Sequence, residues 1–259
     1  MTRRWGVAAL AAALQPVVVA GPAAALVGVQ RVASDGVCWA LTALAVGLAA
    51  VEAGGQRVDD DVAGSAADRC LASTTAAALW AMLAGAVALR AGAPPGLGGS
   101  WLGGAVGVAL FVAGVALRAA AMRELGAHFV TEARSGQRLV TEGAFGWVRH
   151  PSEAGLVAIG AGIVALVPHA ALVAVFLGLL APSIWLRVRR EDRALALSAP
   201  LAHARYAAGV GAVAPRIGAL VDALRGVSRA RVARGLRRQS GESAFAIRFS
   251  TPTRRNGEQ

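Results

Sequence analysis

Two clusters of polar side chains stand out in a chain otherwise dominated by small apolar residues. The first is Gly143-Ala144-Phe145-Gly146-Trp147-Val148-Arg149-His150-Pro151, closing at Gly155. The second gathers Arg187, Arg189, Arg190, Glu191, Asp192 and Arg193, followed by His203 and Tyr206. An imidazole such as His150 can donate or accept a hydrogen bond, and a carboxylate such as Glu191 can receive an ammonium or a hydroxyl. The guanidinium of Arg149 can hold a carboxylate through two parallel bonds. Glu153 stands three residues after His150, so a helix that begins at Pro151 sets both on nearly the same side. Each group also has a plainer role open to it. Arg149 can anchor a helix end to lipid phosphate, and His150-Pro151 can mark a helix start, since Pro suits the first turn. Glu191 and Asp192 can form a solvated ion-pair network, and Glu153 can pair with a nearby Arg.

The elements that must position these clusters are membrane spans. Of 259 residues 56% are hydrophobic and 16% charged, and the mean hydropathy is +0.56. Soluble domains carry about 25% charge, so this composition calls for a lipid-facing surface. Its apolar content is mostly Ala, Leu, Val and Gly, which suits close helix approach in lipid. The net charge of +11 does not indicate nucleic acid, because no basic stretch is interleaved with aromatics for base stacking. All basic residues are Arg, and they flank the apolar runs.

A span needs about 20 largely apolar residues, and six candidates appear, near 5–29, 37–53, 71–92, 100–122, 152–167 and 169–188. The last two join at Pro168-His169 as a tight hairpin that would bring the polar clusters together. Arg3 and Arg4 before an apolar run imitate a secretory leader, but more spans follow, so this segment is read as a retained first helix. More than half of the Arg residues lie from Arg187 onward and five more edge 118–149, whereas Arg31 and Arg90 are nearly alone in the opposite loops. The positive-inside rule then places both termini, 54–70 and 123–150 in the cytoplasm. A charged helix is expected over 189–206, a basic amphipathic segment or a solvated basic tail beyond Pro215, and disorder from Ser240. Cys38 and Cys70 define neither a disulfide framework nor a metal site. His128, His169 and His203 have no second ligand at i+3 or i+4, so no metal is expected.

Leu139-Val140-Thr141-x-Gly143-x-Phe145 followed by Arg149-His150-Pro151-x-x-x-Gly155 resembles the signature of the isoprenylcysteine carboxyl methyltransferases. After the hairpin that family has an acidic pair, a Leu three residues on, then Phe-Gly and two spaced Tyr. Here these are Glu191-Asp192, Leu195 and, for the second Tyr, Tyr206. Upstream, Arg118, Leu125, Gly126 and Phe129 fit as well, and the resemblance spans about 118–216. Four positions depart: Glu153 stands where the family has Tyr, Ala199-Pro200 replaces Phe-Gly, and His203 replaces the first Tyr.

The resemblance implies an all-α polytopic membrane bundle of about five to six transmembrane helices with a cytoplasmic cofactor pocket. It divides the chain into N-terminal spans (1–117), a catalytic region (118–216) and a basic tail (217–259). It implies S-adenosyl-L-methionine as cofactor, held by Gly143, His150, Pro151, Gly155, Glu191, Asp192, Leu195, His203 and Tyr206, with Arg149, Glu153 and Arg190 as catalytic residues. The reaction implied is carboxyl O-methylation of a lipophilic acceptor that enters from the inner membrane, with membrane lipid as the other partner. Phospholipid or small-molecule N- or S-methylation is a second reading, with Glu153 or His203 as the base an amine would need. A non-catalytic membrane scaffold of the same fold is a third. A negative charge at Glu153 is expected to repel a carboxylate acceptor.

Overall fold

A computed structural model of the chain describes residues 2–55, 65–94, 100–126 and 140–216, with side chains described from residue 13 onward. Arg3, Arg4, Arg57, His128, Phe129, Leu139 and the expected amphipathic segment and tail over 217–259 therefore lie outside the described side chains. Met1–Ala214 form one compact unit, and Pro215–Gln259 a second of which only residues 215 and 216 are described.

Helices account for nearly all regular structure described: α1 (Thr2–Val27), α2 (Val29–Ser34), α3 (Gly36–Gly55), α4 (Ala66–Gly92), α5 (Trp101–Leu125), α6 (Pro151–Leu166), α7 (Ala170–Val175), α8 (Ala181–Ser198) and α9 (Pro200–Gly209). Side chains that satisfy free backbone N–H groups set several of the starts. Asp35 Oδ1 accepts from Val37 and Cys38 N at 2.8 and 3.1 Å, Ser65 Oγ from Asp68 N at 3.1 Å, and Ser100 Oγ from Gly103 N at 3.1 Å. Pro151 and Pro200 open α6 and α9 from the first turn, where a missing N–H costs nothing.

Among the described residues, four helices are long and apolar enough to cross a bilayer: Gly36–Gly54, Ala66–Gly92, Trp101–Leu125 and Ala170–Ser198. The expected count of five to six spans is met only in part. Ala13–Val27 is the apolar part of α1 whose side chains are described, and the 16 residues of α6 rise only about 24 Å, short of a hydrocarbon core of about 30 Å. The sixth span also ends later than its sequence suggested. No break separates it from the charged segment at 188–189. The helix runs from Ala170 through a π turn at Phe176–Leu180 to Ser198, and the break falls at Ala199 before Pro200.

The core is built from small-residue contacts. α5 and α6 cross antiparallel through two glycine pairs seven residues apart. A Cβ on Gly114 would sit 2.5 Å from the Gly155 carbonyl oxygen, and one on Gly162 would sit 2.7 Å from that of Gly107. Such backbone proximity supplies the close packing that drives helix association in lipid. Leu41, Leu48, Met82, Leu83, Phe111, Ile159, Ile163 and Leu180 fill the centre, each fully buried. Thr75 Oγ1 on α4 donates to Ser183 Oγ on α8 at 3.0 Å, a polar tie inside the bundle. Exposed Trp39 and Trp101 open α3 and α5 at one end of the bundle, while exposed Trp147 and Trp185 lie toward the other. Amphipathic Trp rings favour the two membrane–water interfaces.

Candidate functional site

The two polar clusters do meet, at the end of the bundle where α6 starts and α8 finishes. Pro151 sets the first turn of α6 and leaves His150 just outside it. Backbone bonds hold this entry in place: Arg149 N donates to Gly211 O at 2.8 Å and His150 N to Ala212 O at 2.9 Å. The chain after α9 thus folds back along residues 148–150. Tyr206 Oη donates to Phe145 O at 2.6 Å, a second tie between the same two segments.

His150, buried, is clasped on both ring nitrogens by acids from α8. Nδ1 lies 3.1 Å from Glu191 Oε2 and Nε2 lies 3.0 Å from Asp192 Oδ1. Asp192 also takes Arg149 Nη2 at 3.1 Å and His203 Nε2 at 3.1 Å. Burial alone would drive the proton off His150. The hydrogen bonds it donates to Asp192 and Glu191 and the charges of Glu191 and Glu153 outweigh it and push the imidazolium up to about 10. Tyr206 is pushed up to about 12, first by burial, with Asp192 and Glu191 acting in the same direction against Arg149. One turn into α6, Glu153 Oε1 pairs with Arg187 Nη2 at 3.2 Å. Arg187 and Glu191 are four apart on α8, so they share a face.

Donor atoms of His150, Glu153 and Glu191 lie within 4.8 Å of one another, an arrangement that could hold a divalent ion. A metal there must first displace the His150 proton. With that proton held up to about pH 10, its removal at neutral pH costs roughly 4 kcal/mol.

The remaining expected site residues take other positions. Gly143 adopts φ +60, and a Cβ there would collide with the Glu124 carboxylate. That carboxylate accepts from Ala144 N at 3.0 Å, so Gly143 shapes the turn. Gly155 serves the α5–α6 crossing. Leu195 is half-buried on α8, and its carbonyl accepts from Ala199 N at the helix end. Arg190 is not brought into the cluster. Its Nε pairs with Asp68 Oδ1 at 2.8 Å and its Nη2 reaches Ser65 Oγ at 3.4 Å, joining α8 to the start of α4.

Three residues were not singled out as site residues from sequence. Arg118, buried on α5, is gripped by both carboxylate oxygens of Glu52 on α3 and donates to Ser152 Oγ beside the His150-Pro151 step. A carboxylate near the end of an apolar span was the available signal, because ionisable residues in spans are rarely idle. Glu52 and Arg118 border a cavity of about 310 Å³ with Leu48, Trp80, Leu156 and Arg187. It is apolar along most of its wall and charged where it nears the cluster. The Nε atoms of Arg149 and Arg187 are buried and lack a hydrogen-bond partner among the described residues. Unmet buried donors are costly enough to point to a missing acceptor.

Comparison with curated proteins finds no match. Residues 107–197, the stretch from α5 to α8 that carries Arg118, Arg149, His150, Glu153, Arg187, Glu191 and Asp192, match the model of the isoprenylcysteine carboxyl methyltransferase (ICMT) family, and over this segment the chain is similar to that family.

Proposed function

We propose that this protein is an S-adenosylmethionine-dependent methyltransferase that modifies a lipophilic acceptor at the membrane face bearing the His150 cluster. The observation that carries this reading is the closure of His150 on Glu191 and Asp192 across the α6–α8 hairpin. It sets a charged, hydrogen-bonding site beside a largely apolar cavity. The residues suit the cofactor's chemistry. Glu191 and Asp192 offer acceptors for an ammonium and for ribose hydroxyls, and the unpartnered Nε of Arg149 offers a donor for a carboxylate. When bound, the cofactor supplies a methyl group on a sulfonium.

For such a transfer, alignment and exclusion of water matter more than acid–base work when the acceptor is already anionic. Arg187 supports the alignment, since it lines the cavity that would receive the acceptor's polar head and keeps a buried Nε without a partner among the described residues. Arg187 also changes the meaning of Glu153. Paired at 3.2 Å and buried, Glu153 is compensated and does not present a bare negative charge. Repulsion of a carboxylate acceptor, expected from sequence, loses its basis, and carboxyl O-methylation remains the preferred chemistry. The excess of Arg at this end of the described bundle, against Arg31 and Arg90 at the other, favours a cytoplasmic location for the site.

Titration of the purified protein with S-adenosylmethionine tests this reading. His150→Ala and Glu191→Gln should each weaken binding roughly ten- to hundredfold, as loss of a charged hydrogen bond costs about 1.5–3 kcal/mol. No binding by the wild type would leave the fold as a non-catalytic scaffold.

A further inference from the structure

At the end of the bundle opposite the His150 cluster, two cavities adjoin. One, of about 240 Å³, is lined by Arg31, Ser34, Asp35 and Arg90 and closes on Ala93 and Pro94. The other, of about 500 Å³, is lined mainly by Leu89, Leu166, Val167 and Pro168, with His169 at the α6–α7 turn. Arg90, Ala93 and Pro94 belong to both. A compartment lined by charged groups thus adjoins a more apolar one across shared walls, and exposed Trp39 and Trp101 mark this end of the bundle as a membrane interface.

The charges decide what the polar compartment would accept. Asp35 is fully engaged: Oδ1 accepts from two backbone N–H groups at the start of α3, and Oδ2 takes Arg90 Nε at 2.9 Å. Arg31 is exposed and makes no ion pair among the described residues. Among the described residues that line this cavity, two guanidinium groups face one acid, which leaves an excess positive charge and no further carboxylate. A zwitterionic head group would bring a cation with nothing to receive it. A phosphodiester bearing an uncharged alcohol would neutralise the excess and leave its acyl chain beside Leu89 and Leu166.

We propose that these cavities form a binding site for an anionic phospholipid of the leaflet opposite the methyltransfer site, with Arg31 and Arg90 on the phosphate. The site shares no residue with the His150 cluster or its acceptor cavity, so it stands or falls independently of the proposed activity.

Native mass spectrometry of the full chain, delipidated and exposed to phosphatidylglycerol or phosphatidylcholine in detergent, tests it. Wild type should retain phosphatidylglycerol at least tenfold more strongly than phosphatidylcholine. Arg31→Gln, at an exposed position where folding is not at stake, should reduce that retention about tenfold. Leu89→Trp, which fills the apolar compartment, should reduce it while sparing Arg31. Equal retention of the two lipids, or unchanged retention in both variants, overturns the proposal. Displacement of the lipid by millimolar inorganic phosphate overturns it too, since that identifies a site for free anions.

Discussion

Raising the pH should loosen this fold through His150. The group ordinarily titrates near 6.5, and in the folded protein its proton is held up to about 10. A histidine whose pKa rises on folding stabilises the native state fully below its unfolded value. That contribution fades as pH climbs through the interval and is gone above the folded value. About three and a half pH units at 1.36 kcal/mol each give a contribution on the order of 5 kcal/mol below pH 6.5. Tyr206, pushed up to about 12, stays neutral across the window and does not obscure it. The comparison is with His150→Gln, which keeps hydrogen-bonding capacity without the titratable charge. Thermal unfolding midpoints of both proteins in detergent, taken from pH 6 to 10.5, should differ most at the acid end and converge toward pH 10. Parallel curves, or a gap that widens with pH, would refute the assignment of a retained proton to the His150–Glu191–Asp192 clasp.

Glu52→Gln should destabilise the protein by about 3–5 kcal/mol, because it removes the carboxylate charge that grips the buried Arg118 through both oxygens. Glu52→Leu with Arg118→Met should recover much of that loss in the same unfolding assay. Gly114→Ala should cost about 1–3 kcal/mol by forcing α5 off the Gly155 carbonyl, whereas Gly104→Ala, with nothing within 4 Å of the added methyl, should be neutral or better. Glu153→Gln frees the charge of Arg187, so methyl transfer to a farnesylcysteine analogue, if the wild type performs it, should show a lower KM. A higher KM would show that the ion pair, and not Arg187 alone, shapes the acceptor site.

Much of this organisation was legible in the chain because it depends on neighbours in sequence. Four of the six expected span positions follow from runs of apolar residues, the α6 start from His150-Pro151, and the hairpin from Pro168-His169. The meeting of Arg149 and His150 with Glu191 and Asp192 was readable because a short hairpin constrains both ends. What stayed hidden depends on contacts between distant segments. Glu52 is 66 residues from Arg118, and no local pattern says that those two spans lie side by side. Arg190 sits among the acids in sequence but on another face of α8, where Asp68 claims it. Continuity of α8 past 188 was missed because the onset of charge resembles the end of a span. A helix keeps its backbone bonds through such a change and only alters which face is wet.

That continuity has a consequence for the setting in which the protein works. The acids that clasp His150 ride on the same unbroken rod that crosses the bilayer, 29 residues from Ala170 to Ser198, whereas His150 is held by the shorter α6 and by the chain after α9. A bilayer thicker or thinner than the apolar length of the rod can be matched by tilt or by sliding. Sliding by one residue moves Glu191 and Asp192 by about 1.5 Å relative to their partner, enough to break bonds of 3.0–3.1 Å. Hydrocarbon thickness thereby acts directly on the geometry of the site, and reconstitution in lipids of graded chain length should tune cofactor affinity with the sequence unchanged.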